Sequence, residues 1–249
     1  MSGHSKWATI KHKKGAADKA RGKLFAKLIR QVEVAAREGG GDPDMNPTLR
    51  TMFQKARDNS VPLDTIQRAI KRGTGELEGV IYESITYEGY APNGVALLIE
   101  VLTDNRNRTG AEIRTILTRG GGSLAEPGAV AWQFERRGVV MVPGSVTEDD
   151  LMLVALDNGA DDIIDDGGSW RVTSGPSELG DLRQALDDAG IPVESSEASM
   201  VSSTVVSLED ETAATAVLRV LDQLDDHDDV QAVHANFDIP DDILSAISV

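Results

Sequence analysis

The chain has 249 residues, 40% hydrophobic and only 4% aromatic, so its cores must be packed from Leu, Ile, Val and Ala, and its length calls for two or three of them. It has no cysteine, which excludes a disulfide framework, thiolate metal sites and a cysteine nucleophile, and fits a reducing compartment. The formal net charge of −16 hides a reversal: residues 1–72 hold 16 Lys+Arg against 7 Asp+Glu, whereas the rest of the chain holds 9 against 34.

All nine lysines lie between Lys6 and Lys71, seven of them within the first 27 residues. A positive block set against an acidic remainder marks a polyanion-binding arm; the competing reading is an ordinary solvated charge run. No apolar stretch approaches the ~18 residues of a membrane span. The opening Met1-Ser2-Gly3-His4-Ser5-Lys6 lacks the apolar region of a secretory signal. A cytoplasmic location is therefore expected, with no membrane contact.

Residues 1–15 have little periodicity and carry Lys6, Lys11, His12, Lys13 and Lys14 with a single aromatic, Trp7. From Ala16 to Arg37 the spacing predicts a helix, with Leu24, Phe25, Leu28, Ile29, Val32, Ala35 and Ala36 on one arc. Lys19, Lys23, Lys27, Arg30 and Arg37 fall on the opposite face, and Gly39-Gly40-Gly41 ends the helix. Asn46-Pro47 is an N-cap with an N1 proline that opens a second helix. Pro62 opens a third that ends at Gly73 and carries Arg68, Lys71 and Arg72 on one face.

After Gly79 the period becomes two. Strands are expected at Ile81–Glu88 and Val95–Leu102, then a helix at Thr109–Arg119 and a strand at Val130–Glu135. The next stretch runs strand Val139–Val142, helix Glu148–Asn158, strand Asp162–Asp165, strand Ser169–Thr173, helix Ser177–Ala189 and strand Val193–Ser199. That order, β-α-β-β-α-β, is the ferredoxin-like split βαβ unit. The tail adds strand Thr204–Leu208, helix Glu211–Leu224 and strand Val230–Asn236. The expected fold class is thus multi-domain α plus α+β. A basic three-helix bundle (residues 1–78) precedes a discontinuous α+β domain (79–136 and 203–249), into which a ferredoxin-like domain (137–202) is inserted.

No catalytic constellation stands out, so no enzyme activity and no cofactor are expected. His4 and His12 sit among lysines, His227 and His234 are not at a metal-ligand spacing, and all four are expected at the surface. The acidic clusters Asp161-Asp162 with Asp165-Asp166, and Asp225-Asp226 with Asp228-Asp229, do not match a calcium loop; solvated turns are expected there. The glycine triplets follow helices rather than precede them, and no Gly-Lys-Ser/Thr occurs, so nucleotide hydrolysis has no support.

Two positive features remain. Lys6, Lys11, His12, Lys13, Lys14, Lys19, Arg21, Lys23, Lys27 and Arg30, extended by Arg68, Lys71 and Arg72, can track a phosphate backbone without reading bases, with counterion release supplying affinity. Trp7 either stacks on an unpaired base or folds back onto the bundle. The second feature, Thr103-Asp104-Asn105-Arg106-Asn107-Arg108-Thr109, joins a strand end to a helix start, where free N–H groups favour anions. Arg106 and Arg108 are candidate anion contacts there; the alternative is a cap made by Asp104 or Asn107.

Gly3-His4-Ser5-Lys6-Trp7-Ala8, Arg21-Gly22-Lys23, Gly39-Gly40-Gly41-Asp42-Pro43, Asn46-Pro47, Tyr87-Glu88-Gly89-Tyr90 and Thr103-Asp104-Asn105-Arg106-Asn107-Arg108 together resemble the YebC/PmpR family of bacterial proteins, over essentially the whole chain. The resemblance implies three domains and DNA-binding transcriptional regulation in the cytoplasm. It also implies an alternative, because related members are linked to translation as ribosome-associated factors that help difficult sequences such as proline runs. DNA, or ribosomal RNA and the ribosome, are accordingly the expected partners. The sequence carries no signal for oligomeric state.

Overall fold

The computed structural model describes residues 18–166 and 168–247, with side chains from residue 22 onward except that of Asp241. Three helices come first: α1 (Asp18–Gly39), α2 (Pro47–Asp58) and α3 (Leu63–Gly73). The Asn46 side chain accepts the amide of Leu49 at 3.0 Å and donates to the carbonyls of Ala35 and Gly40, so one residue caps α2 and ties it to the end of α1. Leu28, Val32, Ala35, Leu49, Ala56 and Ile66 close the core between the helices. At Gly73 the backbone of α3 runs so close to the Glu33 carbonyl of α1 that no Cβ fits between them. Leu24, placed on the apolar arc by its spacing, is instead exposed.

The first sheet follows, with strands β1 (Glu83–Tyr90), β2 (Ala96–Thr103) and β3 (Ser123–Leu124), the helix α4 (Arg106–Arg119) lying between β2 and β3. Its fourth strand comes from the tail: β9 (Val230–Ala235) pairs antiparallel with β2, and the sheet order is β3-β1-β2-β9. Helix α7 (Glu211–Asp225) packs on this sheet beside α4, burying Leu97, Ile99, Ile113, Leu117, Val217 and Leu221 in one core. A short parallel pair, β8 (Val206–Ser207) with β10 (Phe237–Asp238), flanks it, and α8 (Asp241–Ile247) ends the described chain.

The second sheet is made by β4 (Phe134–Pro143), β5 (Ala160–Asp165), β6 (Ser169–Ser174) and β7 (Ser195–Ser202), in the order β5-β6-β4-β7 with every neighbour antiparallel. Helices α5 (Glu148–Ala155) and α6 (Leu179–Asp188) cover one face, burying Val140, Val142, Val172, Leu151 and Leu182. The result is a mixed α/β fold with antiparallel sheets.

Two expected strands prove to be one. Val130–Glu135 and Val139–Val142 merge into β4, and residues 131–133 form a single 3-10 turn instead. The turn follows from Glu88 on β1: its carboxylate accepts the amides of Gly128, Val130 and Ala131 at 2.6–2.8 Å, which withdraws them from any ladder, while Phe134–Met141 pair without a break with Ser195–Ser202 of β7. Burial pushes the Glu88 carboxyl up, but these three amide hydrogen bonds outweigh it and hold it below its ordinary value.

Candidate nucleic-acid interface

Lys6, Trp7, Lys11, His12, Lys13 and Lys14 lie outside the described residues, and Lys19 and Arg21 belong to the first turns of α1, where only the backbone is described. The rest of the expected basic surface is accounted for. Lys71 is exposed on α3. Arg68 pairs with Asp64 one turn back, 3.0 Å away with both side chains largely in solvent, a contact worth little. Arg72 instead reaches Glu33 of α1 at 2.8 Å, and Glu33, nearly buried, also takes Arg37 at 3.3 Å. The arginine at the end of α3 thus joins two helices.

The basic face of α1 does not stand free. It lies against the acidic turn between α7 and β9. Lys23 Nζ donates to the Asp226 carbonyl at 2.9 Å and sits 3.1 Å from its carboxylate. Lys27, 8% exposed, donates to the Asp225 carbonyl at 2.5 Å. Arg30 donates to the Asp228 carbonyl at 2.8 Å and the Asp229 carboxylate at 2.9 Å, and its guanidinium lies 5.2 Å from the centre of the Tyr82 ring.

Asp229 is the centre of this contact and is only 5% exposed. One carboxylate oxygen accepts Arg30; the other accepts Arg108 at 2.7 Å, Thr109 at 2.6 Å and Thr103 at 3.1 Å. Burial alone raises its pKa, yet the bonds from Thr109, Arg108 and Thr103 and the charge of Arg30 outweigh it and leave it lowered. The solvated turn expected from Asp225 to Asp229 is therefore a receptor for four basic side chains. No group of three or more His, Asp or Glu among the described residues is arranged to hold a metal ion.

The start of α4 resolves the two readings of its motif. The cap is Asn105, whose side chain accepts the Arg108 amide at 3.1 Å, rather than Asp104 or Asn107. Arg108 is held by Asp104 at 2.9 Å and by Asp229, so the anion it meets is the protein's own. Arg106 is exposed, and its carbonyl accepts the Tyr87 hydroxyl. Two histidines also depart from the surface expectation. His234 is 4% exposed and meets Glu100 at 3.3 Å, and His227 reaches Glu112 at 2.9 Å while its other ring nitrogen accepts the Asp229 amide. Between α1, the start of α4 and the acidic turn lies an open cleft of about 910 Å³, whose lining includes Lys23, Arg30 and Arg108 as well as Asp104, Glu112 and Asp226.

A basic helix seated on an acidic turn, carried by antiparallel sheets with helical cover, defines a mixed α/β protein of strongly divided charge. The chain belongs to the TACO1/YebC family: residues 5–76 match the TACO1/YebC protein N-terminal domain and residues 82–237 the TACO1/YebC second and third domain. Relatives from Thermobifida fusca (57% identical, 100% of both chains) and Halothermothrix orenii (53% identical, 100% of this chain and 99% of the relative) are each named probable transcriptional regulatory protein. The crystal structure of a conserved hypothetical protein from Aquifex aeolicus is also similar, at a TM-score of 0.78 and 43% identity over 88% of this chain and 91% of that one.

Proposed function

We propose that this protein is a non-enzymatic transcriptional regulator of the cytoplasm that grips the DNA phosphate backbone through its lysine-rich N-terminal segment. The observation that carries the reading is the charge division, 16 basic against 7 acidic residues up to residue 72 and 9 against 34 beyond it. Ammonium and guanidinium groups in such density gain affinity by releasing condensed counterions. The names of the relatives support regulation. Lys23, Lys27 and Arg30 are already committed to the acidic turn. The first contact with DNA therefore falls to Lys6, Lys11, His12, Lys13, Lys14 and Lys19, together with the exposed Lys71 of α3. The three-lobed arrangement, 1–78, then 79–136 with 203–249, then 137–202 between them, is part of the same proposal: the acidic lobes repel the duplex and orient the molecule arm-first.

One observation favours a second reading, a ribosome-associated translation factor. A base-reading helix places Arg, Asn or Gln at its start, whereas α3 opens with Leu63 and Asp64, and Asp64 is paired with Arg68. A lysine-rich arm with one Trp suits irregular RNA better than a major groove. Crosslinking the protein to nucleic acid in cells and sequencing what is recovered separates the two: promoter DNA supports regulation, and ribosomal RNA supports translation.

A further inference from the structure

The face of the second sheet turned away from α5 and α6 carries a feature unconnected with the basic arm. Along β6, Val172 points into the helical core while Arg171 and Thr173 alternate to the opposite side. Arg171 is opposite Met141 on β4 and Ile164 on β5. It is 3% exposed, its Nε has no hydrogen-bond partner, and it makes no ion pair among the described residues. A guanidinium is a permanent cation with five N–H donors, and burying one without an acceptor is costly.

The side chain lines a pocket of about 350 Å³ whose walls include Ile164, Val201 and Val205. Arg137 lines it too, but its charge is spent on Glu135 at 2.9 Å and Asp161 at 2.7 Å. The pocket therefore holds one guanidinium that makes no ion pair among the described residues, aliphatic walls, and the carboxylates of Glu135, Asp161 and Asp162. An acidic surround disfavours a doubly charged guest much more than a singly charged one. A planar monoanion matches the fork of a guanidinium with two parallel N–H···O bonds.

We propose that this pocket is a binding site for a small monocarboxylate with a short aliphatic body, its carboxylate on Arg171 and its chain against Ile164, Val201 and Val205. A bound carboxylate supplies the acceptor that the Arg171 Nε lacks. The site lies on a different sheet from the Asp229 contact.

The test uses the full chain and hexanoate as probe, with phosphate and chloride at matched ionic strength as controls. The readouts are the thermal midpoint and the Arg171 Nε–H resonance in side-chain NMR. Hexanoate is expected to raise the midpoint saturably in the millimolar range and to shift that resonance, with phosphate and chloride doing neither. Arg171→Met, which fills similar space without charge, is expected to fold with an unchanged or higher midpoint and to weaken hexanoate binding at least about tenfold. Val205→Asp, at a position 43% exposed, adds a repelling charge without touching the sheet interior and is expected to weaken hexanoate binding in the same way, so the test survives a failure of the first variant to fold. Absence of a saturable response, an equal response to phosphate, or full hexanoate binding by a folded variant overturns the proposal.

Discussion

Arg30 and Asp229, 199 positions apart in the chain, meet at 2.9 Å and fasten the first helix to the tail of the molecule. The pair is one spoke of a hub. The Asp229 carboxylate collects two guanidinium groups and two hydroxyls, one of each from α4. Exposed partnerships such as Lys23 with Asp226 are worth at most about 1 kcal/mol, so the buried hub does most of the fastening.

Asp229→Asn is accordingly expected to lower unfolding free energy by about 2–4 kcal/mol, because it strips the charge from a site that still holds Arg30 and Arg108. Urea unfolding checks this. Asp228→Asn, whose contact with Arg30 is through its carbonyl, is expected to cost far less.

The two arginines of the α4 motif should separate in the same assay. Arg108→Ala breaks contacts to Asp229 and Asp104 and is expected to lower the midpoint, though less than Asp229→Asn, since its side chain is partly in solvent. Arg106→Ala is expected to leave the midpoint unchanged. Equal costs for the two would remove the distinction drawn between them.

Asp229 and Glu88 both hold their protons less tightly folded than is usual. Unfolded, they titrate near the ordinary values of about 3.9 and 4.3, so on acidification the unfolded chain takes up these protons first. Their contribution is complete above about pH 4–5 and is lost as the pH falls through the lowered folded values. Stability measured against pH should decline below that window in the wild type, and less steeply in Asp229→Asn and Glu88→Gln.

Much of the fold was legible because it rests on local signals. Asn46-Pro47 and the two periods placed the helices and strands to within a few residues, and the β-α-β-β-α-β order anticipated the second sheet. The turn that replaces the start of the expected strand at Val130 was not legible, since only the distant Glu88 withdraws the amides of Val130 and Ala131 from a ladder. The candidate site was legible as charge but not as partnership. In sequence, Asp229 is one of four aspartates in a five-residue run, and nothing local marks it as the one that Thr103, Thr109 and Arg108 enclose. Which lysines would be taken depends on how the helical bundle docks.

If the N-terminal basic segment holds phosphate as proposed, the Asp226 carboxylate that pairs with Lys23 competes with it for that lysine. Asp226→Asn is expected to strengthen nucleic-acid binding by the full chain, by at most about fivefold given what such an exposed pair contributes, whereas Asp225→Asn, which leaves the Lys27 bond to the Asp225 carbonyl in place, is expected to change it far less. Fluorescence anisotropy at fixed salt measures it; unchanged or weaker binding means the turn does not compete.

The central claim is that lysines at the front of an otherwise acidic chain hold a phosphodiester polymer. Its most direct test is the salt dependence of binding to duplex DNA and to ribosomal RNA, compared between the wild type and a full-length variant with Lys11, Lys13, Lys14 and Lys19 changed to Gln. Weaker binding is expected, with a slope of log K against log salt shallower by about 0.7–0.9 for each phosphate that the variant no longer neutralises. Identical affinity and slope on both polymers would contradict the account.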